Sequence, residues 1–550
     1  MYLAKIDRKN KKGEISHTAY VLRESYREGK NVKTRVIANL TNCSKEDIAA
    51  IDWALQNKNN PEAFKSRIIK SVLGKRFAGI YLIYMILKKS GICEILGNDL
   101  NGKLAIMQVI SRVINQGSRL STIRNAGHQA ICEILQIENN ICEDDLYKNL
   151  TWIAENQRSI EKKIFKRRYK NEKPNIYLYD VTSSYFEGTC NELANFGYNR
   201  DKKNGKKQVV AGLLCDSDGL PISIELYKGN TLDFNTLTNQ IRKVADDFSC
   251  KNVTFVGDRG MIKSKQIESL KAAEFYYITA LTKPQMEKLI SDKIFEMSFF
   301  DIELKEIEHD SVRYVLRRNP VRATEINHVR EEKYFKVAKL CDSKNEYLAT
   351  HPKAKVSTAI NVINEKIKKL KLDAYLSVSE NKDNKREIEI HIDTDKLSEI
   401  SRLDGCYVIK SNLSKDVDMK TIHSRYKDLA LVESNFKYMK TETLELRPWF
   451  VVKEENTRGH AFVVMLAHLV IKELQNAWKE IDITVPEGLT ALDAICMIQE
   501  TLENGETFIS IPEPNEELKK LLDAAKVKLP RVFPNVKVNV GTRKKLKRMS

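Results

Sequence analysis

Three acidic residues are the first candidates for chemistry in this sequence. Asp180 ends the strand-like run IYLYD, and Asp258 ends a second apolar run, TFVGD. Glycine or small hydroxylated residues lie close to each aspartate, so space is left around the carboxylate. Glu433 lies further along, within the helix-like segment RYKDLALVESNFKYMKTE. If the two strands are neighbours in one sheet, we expect the aspartates to converge.

Converged carboxylates favour a site for divalent metal. Like charges held together raise one pKa unless a metal ion neutralises them, and only Arg259 offers a cation directly beside either aspartate. Oxygen ligands suit Mg²⁺ or Mn²⁺, and two such ions about 4 Å apart can drive phosphodiester chemistry. The alternative is that each acid is ordinary, since aspartate is common in caps and turns and helical glutamate is commonly solvated.

Composition bounds the partners and the compartment. A chain of 550 residues is expected to form three or four units, and a net charge of +18 favours a polyanion such as nucleic acid over a merely basic, solvated surface. The ten cysteines include no CxxC pair, which argues against a zinc ribbon. The apolar segments are too short to span a bilayer and the N-terminus is charged, so a cytoplasmic protein without membrane contact is expected.

Changes in periodicity divide the elements that must position these acids into six predicted segments. They are a small three-stranded β-sheet (1–42), a helical, basic region (45–168), the first part of a mixed α/β sheet (175–290), a β-rich insertion (291–405), the second part of the sheet with the Glu433 helix (406–480), and a small α/β tail (486–550). The first segment holds ten Lys or Arg residues against four acids. The helix that carries Glu433 is predicted over about 423–445.

Several ordered blocks of the chain resemble the DDE transposases of bacterial insertion sequences. The blocks are LYDVTSSYFEG, GYNRDKKNGKKQVVAGLLCDSDGLPI, YKGNTLDFNT, VGDRGMI and YKDLALVESNFKYMKTE, and the likeness extends from about residue 175 to 475. The resemblance implies an α/β fold: a ribonuclease-H-like mixed sheet with helices, interrupted by a β-rich insertion, after a small N-terminal β domain and a helical DNA-binding segment. It also implies that Asp180, Asp258 and Glu433 are catalytic and bind two ions of Mg²⁺ or Mn²⁺.

The family's signature around the last acid contains Tyr, Arg, Glu and Lys at fixed intervals. Tyr426, Glu433 and Lys440 match it, whereas Leu429 occupies the arginine position. On one continuous helix, residues seven apart share a face, so Tyr426 and Lys440 would flank the glutamate. The resemblance implies that both hold a DNA phosphate there. Core packing is the alternative for Tyr426, and the effect of Leu429 on activity stays open.

Other basic residues are weaker candidates for DNA binding. These are Arg259, Lys202, Lys203, Lys206 and Lys207. Arg259 could instead orient Asp258 or form a structural ion pair, and the lysines could belong to a solvated loop. Arg425 or Lys427 could replace the missing signature arginine. Glu187 is a weak candidate for a fourth metal ligand, and a core or capping role is expected for His460.

These features together predict an insertion-sequence transposase. Metal-dependent cleavage would free 3′-hydroxyls at the element ends, and strand transfer would join them to target DNA. The expected partners are double-stranded DNA, as terminal inverted repeats and target, and a second copy in a synaptic homodimer; the expected location is the nucleoid. The chain has no GxxxxGK[ST] motif, so ATP is not expected. Two alternatives stay open: a metal-dependent nuclease of the same fold, and a DNA-binding derivative without catalysis.

Overall fold

The computed structural model describes residues 1–9, 15–29, 31–56, 68–138, 140–188, 190–198, 200–201, 203, 205–440, 444–446, 449, 451–503, 505–533 and 541. Lys202, one of the predicted DNA contacts, lies outside these residues. The chain forms two compact units. Unit 1 comprises 1–160, 442–445 and 455–550, and unit 2 comprises 161–441 and 446–454.

The secondary-structure elements are numbered in chain order. The strands are β1 (Tyr2–Lys9), β2 (Ile15–Glu28), β3 (Asn31–Asn39), β4 (Ile68–Arg76), β5 (Ile176–Tyr185), β6 (Gln208–Cys215), β7 (Pro221–Lys228), β8 (Thr254–Gly257), β9 (Tyr276–Ala280), β10 (Lys305–His309), β11 (Val312–Arg318), β12 (Leu376–Glu380), β13 (Ile388–Ile392), β14 (Cys406–Ser411), β15 (Cys496–Leu502), β16 (Thr507–Ser510) and β17 (Val532–Phe533). The helices are α1 (Lys45–Gln56), α2 (Ala78–Lys89), α3 (Ile92–Leu96), α4 (Leu100–Ile114), α5 (Arg119–Ala126), α6 (Ile131–Leu135), α7 (Glu143–Arg168), α8 (Asp233–Arg242), α9 (Ser264–Ala272), α10 (Lys283–Ser291), α11 (Pro320–Thr350), α12 (Val356–Leu370), α13 (Thr394–Ser401), α14 (Met419–Lys427), α15 (Leu429–Lys440), α16 (Glu454–Ala477), α17 (Val485–Leu492) and α18 (Glu516–Ala524), with a π-helical turn at Lys243–Asp247 and a 3₁₀ turn at Met297–Asp301.

An eight-stranded mixed sheet organises unit 2. Its strand order is β10-β11-β14-β9-β8-β5-β6-β7. Strands β5, β8 and β9 run parallel, while β6 is antiparallel to β5 and β7 is antiparallel to β6. An antiparallel meander of three strands followed by two parallel strands, in the spatial order β7-β6-β5-β8-β9, is the ribonuclease-H-like arrangement that the resemblance implied. The predicted fold class is therefore confirmed.

The two faces of β5 have different surroundings. Successive side chains of a strand point to opposite faces, and Tyr177, Tyr179 and Val181 lie in one apolar core with residues from α8, α9 and neighbouring strands. Asp180 belongs to the other face. Helix α15 contacts β5, so the helix that carries Glu433 packs against the strand that carries the first aspartate.

The insertion at 291–405 contains more helix than strand. Strands β10 to β13 are present, but α11 alone has 31 residues and α12 has 15. The segment YFKVAKL, interpreted from its sequence as a strand, lies inside α11, because Val337, Cys341 and Leu348 recur at helical spacing and are buried in a cluster with α12 and the β12–β13 hairpin. The expectation of a β-rich insertion is thus correct only for its four strands.

The described residues of unit 1 contain two separate sheets. Strands β1, β2 and β3 form the predicted antiparallel N-terminal sheet, and β17, β16, β15 and β4 form a second one. Strand β4 interrupts the region predicted to be helical, and it pairs with β15 from the predicted C-terminal tail, for example Val72 with Gln499. These two segments therefore fold into one unit. Among the described residues, no helix has both the length and the apolar character needed to cross a bilayer.

Candidate active site

The strand register brings the two aspartates to one edge of the sheet. Strands β5 and β8 are parallel, and Tyr179 pairs with Gly257 at the last position of the β8 ladder. Asp180 and Asp258 are the next residues on their strands, which lie about 4.8 Å apart in a sheet. The two aspartates are therefore neighbours, as predicted from the two apolar runs. The expectation that Asp180 ends its strand is wrong, however, because β5 continues to Tyr185 in its pairing with β6.

Asp180 is a half-buried carboxylate in an electronegative setting. Its pKa is raised to about 7, and burial is the largest cause. The charges of Asp258 and Glu433 also raise this pKa, whereas the Val181 N–H and the charge of Arg200 lower it. One carboxylate oxygen accepts the Val181 N–H at 2.8 Å. The three acids therefore sense one another electrostatically.

Asp258 is exposed and is held from two directions. Its Oδ1 accepts the backbone N–H of Arg259 at 2.7 Å and the hydroxyl of Tyr426 at 3.3 Å. Burial and the neighbouring Asp258 charge raise the pKa of Tyr426, so this phenol stays a proton donor. In the described part of the chain, the Arg259 side chain forms no ion pair, which removes one alternative for that residue.

Helix α15 presents Glu433 from a firmly packed base. Its buried residues recur at helical spacing: Val432, Asn435, Phe436, Met439 and Lys440. The Asn435 amide donates to the Gly219 carbonyl at 2.7 Å, and Gly219 adopts φ +76°, which only glycine adopts without strain. A Cβ at Gly219 would lie 2.7 Å from the Leu431 side chain, so this turn also lets the helix approach. Glu433 itself is exposed.

The signature does not lie on one helix. A single helix over 423–445 was predicted, but α14 ends at Lys427 and α15 begins at Leu429. Asp428, between them, forms an ion pair with Arg425 at 3.2 Å. The argument that Tyr426 shares a helical face with Glu433 is therefore wrong, and Tyr426 instead reaches the second aspartate across the fold.

Lys440 is engaged with the protein. Its ammonium donates to the carbonyl of Ser183 and forms an ion pair with Asp201 at 3.2 Å. The Lys440 and Asp201 side chains are 10% and 9% exposed, so the pair is largely removed from solvent. The other Asp201 oxygen accepts the backbone N–H of Tyr185 at 3.1 Å. In this structure Lys440 ties the Glu433 helix to β5 and to the loop after it, which is a positioning role.

Two further residues at this edge were missed from the sequence. Arg200 donates to Asp233 at 2.5 Å, and its backbone N–H donates to the Ser183 hydroxyl at 2.8 Å. The Arg200 charge lowers the pKa of Asp180. Both residues stand in blocks quoted for the resemblance, GYNRDKK and GNTLDFNT, but nothing in a single sequence indicates that these blocks meet.

The predicted lysine contacts lie in the loop around Arg200. Lys203 and Lys207 lie over the rings of Tyr185 and Phe196 at 5.8 and 6.0 Å. Lys206 forms an exposed ion pair with Glu187 at 2.8 Å. Glu187 is thereby occupied by a lysine, which argues against its being a metal ligand.

His460 belongs to unit 1. It is buried, and its Nδ1 lies 3.1 Å from the Arg119 guanidinium. Burial lowers the pKa of Arg119 to about 9. This arrangement fits the core role expected for the histidine.

The three carboxylates are suitable ligands for a hard divalent cation, but they are not close enough together to bind one ion. Three carboxylates supply only oxygen atoms, which Mg²⁺ and Mn²⁺ prefer. Within the described residues, however, no group of three His, Cys, Asp or Glu side chains is close enough to hold one metal ion. Asp258 and Glu433 are both exposed.

Comparison with solved structures gave weak likenesses to transposases. They are the piggyBac transposase synaptic complex with hairpin DNA (9% identity, TM-score 0.34, 78% of this chain and 71% of that one), the Mos1 transposase paired-end complex with left transposon end (11%, 0.15, 42% and 66%) and the Mos1 mariner paired-end complex with Mn (12%, 0.14, 42% and 67%). At these scores the likenesses carry no argument. Comparison with curated sequences gave no match.

Comparison with protein families gave two matches that follow one another along the chain. Residues 3–66 match the N-terminal domain of IS1634 family transposases. Residues 171–470, more than half of the chain, match the transposase DDE domain, and this range includes Asp180, Asp258 and Glu433. The chain belongs to the DDE transposases of insertion sequences.

Proposed function

We propose that this protein cleaves the ends of its own insertion sequence and transfers them into target DNA, with Asp180, Asp258 and Glu433 as the catalytic, metal-binding residues. The observation that carries the proposal is the β5–β8 register, which sets the two aspartates side by side next to the Glu433 helix. The family match to the DDE domain over all three acids supports it.

Two Mg²⁺ or Mn²⁺ ions are the cofactors that fit this donor set. When bound, such ions supply an activated water and stabilise the leaving oxygen of a phosphodiester. Burial, the largest cause of the raised pKa of Asp180, and the charges of Asp258 and Glu433 disfavour its ionised form, and a divalent ion would stabilise that form.

The chain's own residues orient these acids and the DNA. Tyr426 donates to Asp258 and holds it at the edge of the sheet. The Lys440–Asp201 pair fixes the loop that carries Arg200, so that the Arg200 charge stays close to Asp180. Arg259 and the loop lysines Lys202, Lys203, Lys206 and Lys207 are proposed to contact DNA phosphates. Tyr426 and Lys440, which the resemblance implied as phosphate contacts, are proposed to act by positioning Asp258 and the Arg200 loop.

The proposed partners follow from the reaction. Terminal inverted repeats and target DNA are both double-stranded, and a synaptic complex would hold two element ends with two copies of the chain. Residues 1–168 would bind the ends, and the net charge of +18 would supply sequence-independent affinity. The nucleoid is the place where such a protein would act.

A strand-transfer assay tests the proposal against its alternatives. Labelled duplexes that carry the DNA flanking the gene are incubated with the protein, supercoiled plasmid and Mg²⁺. Joining of labelled 3′-ends to plasmid is expected; nicking without joining would indicate a nuclease of the same fold. Equal nicking by the native protein and by Asp180→Ala would end the catalytic assignment, and binding without nicking would indicate an inactive derivative.

A further inference from the structure

The β2–β3 hairpin extends beyond the covered part of the N-terminal sheet. Near its base, Val21 is 8% exposed and α1 contacts β1. A bulge between Leu22 and Arg23 then shifts the register, and the hairpin continues to the turn at Gly29. Beyond this bulge, β2 and β3 continue as a ribbon, residues 23–36, that is about 20 Å long at 3.4 Å per residue. The ribbon is two-stranded after Arg23, which still pairs with Tyr2 of β1.

One face of this ribbon combines cations, hydroxyls and exposed apolar groups. The register pairs Arg23 with Val36, Ser25 with Thr34 and Arg27 with Val32, so these six side chains share a face. Val32 and Val36 are 64% and 58% exposed. In the part of the chain that the structure describes, the Arg23 and Arg27 side chains form no ion pair or hydrogen bond. We call these six residues the arginine face.

The opposite face of the same ribbon neutralises its own charges. Glu24 pairs with Arg35 at 2.7 Å, and Glu28 forms an ion pair with Lys33. The Arg35 guanidinium also lies 5.6 Å from the centre of the Tyr26 ring. The two faces therefore differ in what they offer a partner: the arginine face has a net charge of +2 without an acid, whereas the other face is electrically balanced.

The arginine face has the chemistry that reads base edges. A two-stranded β-ribbon fits the major groove of B-form DNA, which is about 12 Å wide. Arginine pairs with guanine, Ser and Thr hydroxyls bond to several bases, and apolar side chains contact the thymine methyl. The net charge of +2 on this face complements DNA phosphates, which favours DNA over an uncharged protein surface as the partner.

We propose that the arginine face of the β2–β3 ribbon enters the major groove of the element's terminal repeats and reads their sequence. This inference rests on the proposed function, since it names the surface that recognises the ends. It assigns base contacts to a strand pair in the first 40 residues.

The test compares the two faces in the full-length protein. Binding to fluorescein-labelled duplexes with the gene's flanking DNA, and to scrambled duplexes, is measured by anisotropy for Arg23→Ala/Arg27→Ala and for the charge-matched control Lys33→Ala/Arg35→Ala. The first variant is expected to lose about thirtyfold or more in affinity for the flanking duplex, since two arginine–guanine pairs at about 1–3 kcal/mol each together contribute at least about 2 kcal/mol. The control is expected to change by less than about threefold, because its charges are already paired on the surface.

A crosslinking experiment keeps the inference testable if a variant folds poorly. A photoreactive phenylalanine derivative replaces Thr34 on the arginine face or Tyr26 on the other face. Crosslinks from position 34 alone support the proposal; equal crosslinking, or equal affinity losses for both double variants, would overturn it. If the native protein binds flanking and scrambled duplexes equally, recognition of the ends is absent and the proposed function itself fails. If the native protein prefers the flanking duplex and Arg23→Ala/Arg27→Ala keeps the same preference and affinity, only the inference about the arginine face fails.

Discussion

Strands β6 and β3 have similar lengths but opposite surroundings. All eight residues of β6 are buried between layers of unit 2, whereas β3 is exposed at eight of its nine positions. Their sequences differ accordingly: QVVAGLLC is almost wholly apolar, and NVKTRVIAN mixes charge, hydroxyls and valine. A strand buried on both faces acts through packing, and it fixes Asp180 beside Asp258 by holding its neighbour β5.

Strands of similar length therefore have different roles in the two sheets. Burial of the apolar side chains of β6 stabilises the fold by about 25 cal/mol for each Å² of surface removed from water. Side chains of β3 bury little, and their contribution is expected in binding. Substitutions in the two regions should therefore separate stability, catalysis and DNA affinity.

The largest expected effect is on catalysis at the edge of the buried sheet. Asp258→Asn should reduce end cleavage by about a thousandfold or more, because it removes a proposed metal ligand that supports several kcal/mol of transition-state stabilisation. Because Asp258 is exposed, the free energy of unfolding should hardly change. Cleavage and duplex binding are both measured for Asp258→Asn and, in parallel, for Arg23→Ala/Arg27→Ala. The main loss should be in cleavage for the first variant and in binding for the second. Undiminished cleavage by Asp258→Asn would contradict the assignment.

The next effect concerns the Lys440–Asp201 pair, which connects the Glu433 helix to the loop. Lys440→Met should lower the free energy of unfolding by about 3–5 kcal/mol, since it leaves a buried carboxylate without its cation. Denaturant titration measures this, with Lys437→Met, exposed on the same helix, as the control. Addition of Asp201→Asn should recover part of the loss. A Lys440→Met protein as stable as the control would contradict the positioning role of the lysine.

A matched pair of truncations compares the two strands directly. Leu214→Ala in β6 should cost about 2–5 kcal/mol, because the leucine is fully buried in the unit 2 core. Val36→Ala in β3 should cost less than about 0.5 kcal/mol, since the valine is 58% exposed. Chemical denaturation of both variants is the measurement. Similar costs would mean that the ribbon is covered in solution.

The smallest expected effect is a pH dependence at Asp180. Burial raises its pKa from 3.8 to about 7, so between these values the folded protein holds a proton that the unfolded chain has released. Stability should therefore fall as the pH rises through this window. In EDTA, the melting temperature should drop by about 2–4 °C more in the native protein than in Asp180→Asn between pH 5 and pH 8. Parallel curves for the two proteins would contradict the raised pKa.

The elements around the aspartates were predictable because each carries a local signal. An apolar run that ends in Asp and small residues indicates a buried strand, which located Asp180 and Asp258 before the register was known. The end of the run marked the end of the strand only at Asp258, because β5 continues past Asp180 to Tyr185. The order of the sheet, by contrast, came from the resemblance. The seven-residue segment YFKVAKL was too short for its periodicity to distinguish a strand from a helix. The buried positions along the whole of α11 recur at helical spacing and identify the helix.

Contacts between distant segments were beyond the sequence. The Lys440–Asp201 pair joins residues 239 positions apart, and the Arg200–Asp233 pair joins a loop to the first residue of α8. The break at Asp428 was missed since no Gly or Pro marks it; the segment KDLALVES has good helix formers on both sides. Such features depend on what packs nearby, which only the folded chain defines.

The pairing of β4 with β15 has a consequence for biosynthesis. Strand β4 is translated early, but its partner begins at Cys496, more than 400 residues later. While the ribosome synthesises unit 2, β4 has no β15 to pair with. The unpaired strand edge favours association with other chains, and the long sequence separation of the two strands slows folding. Unit 1 can be completed only when nearly the whole protein has been synthesised, so a prematurely terminated polypeptide would lack this sheet even where it retains the entire ribonuclease-H-like core.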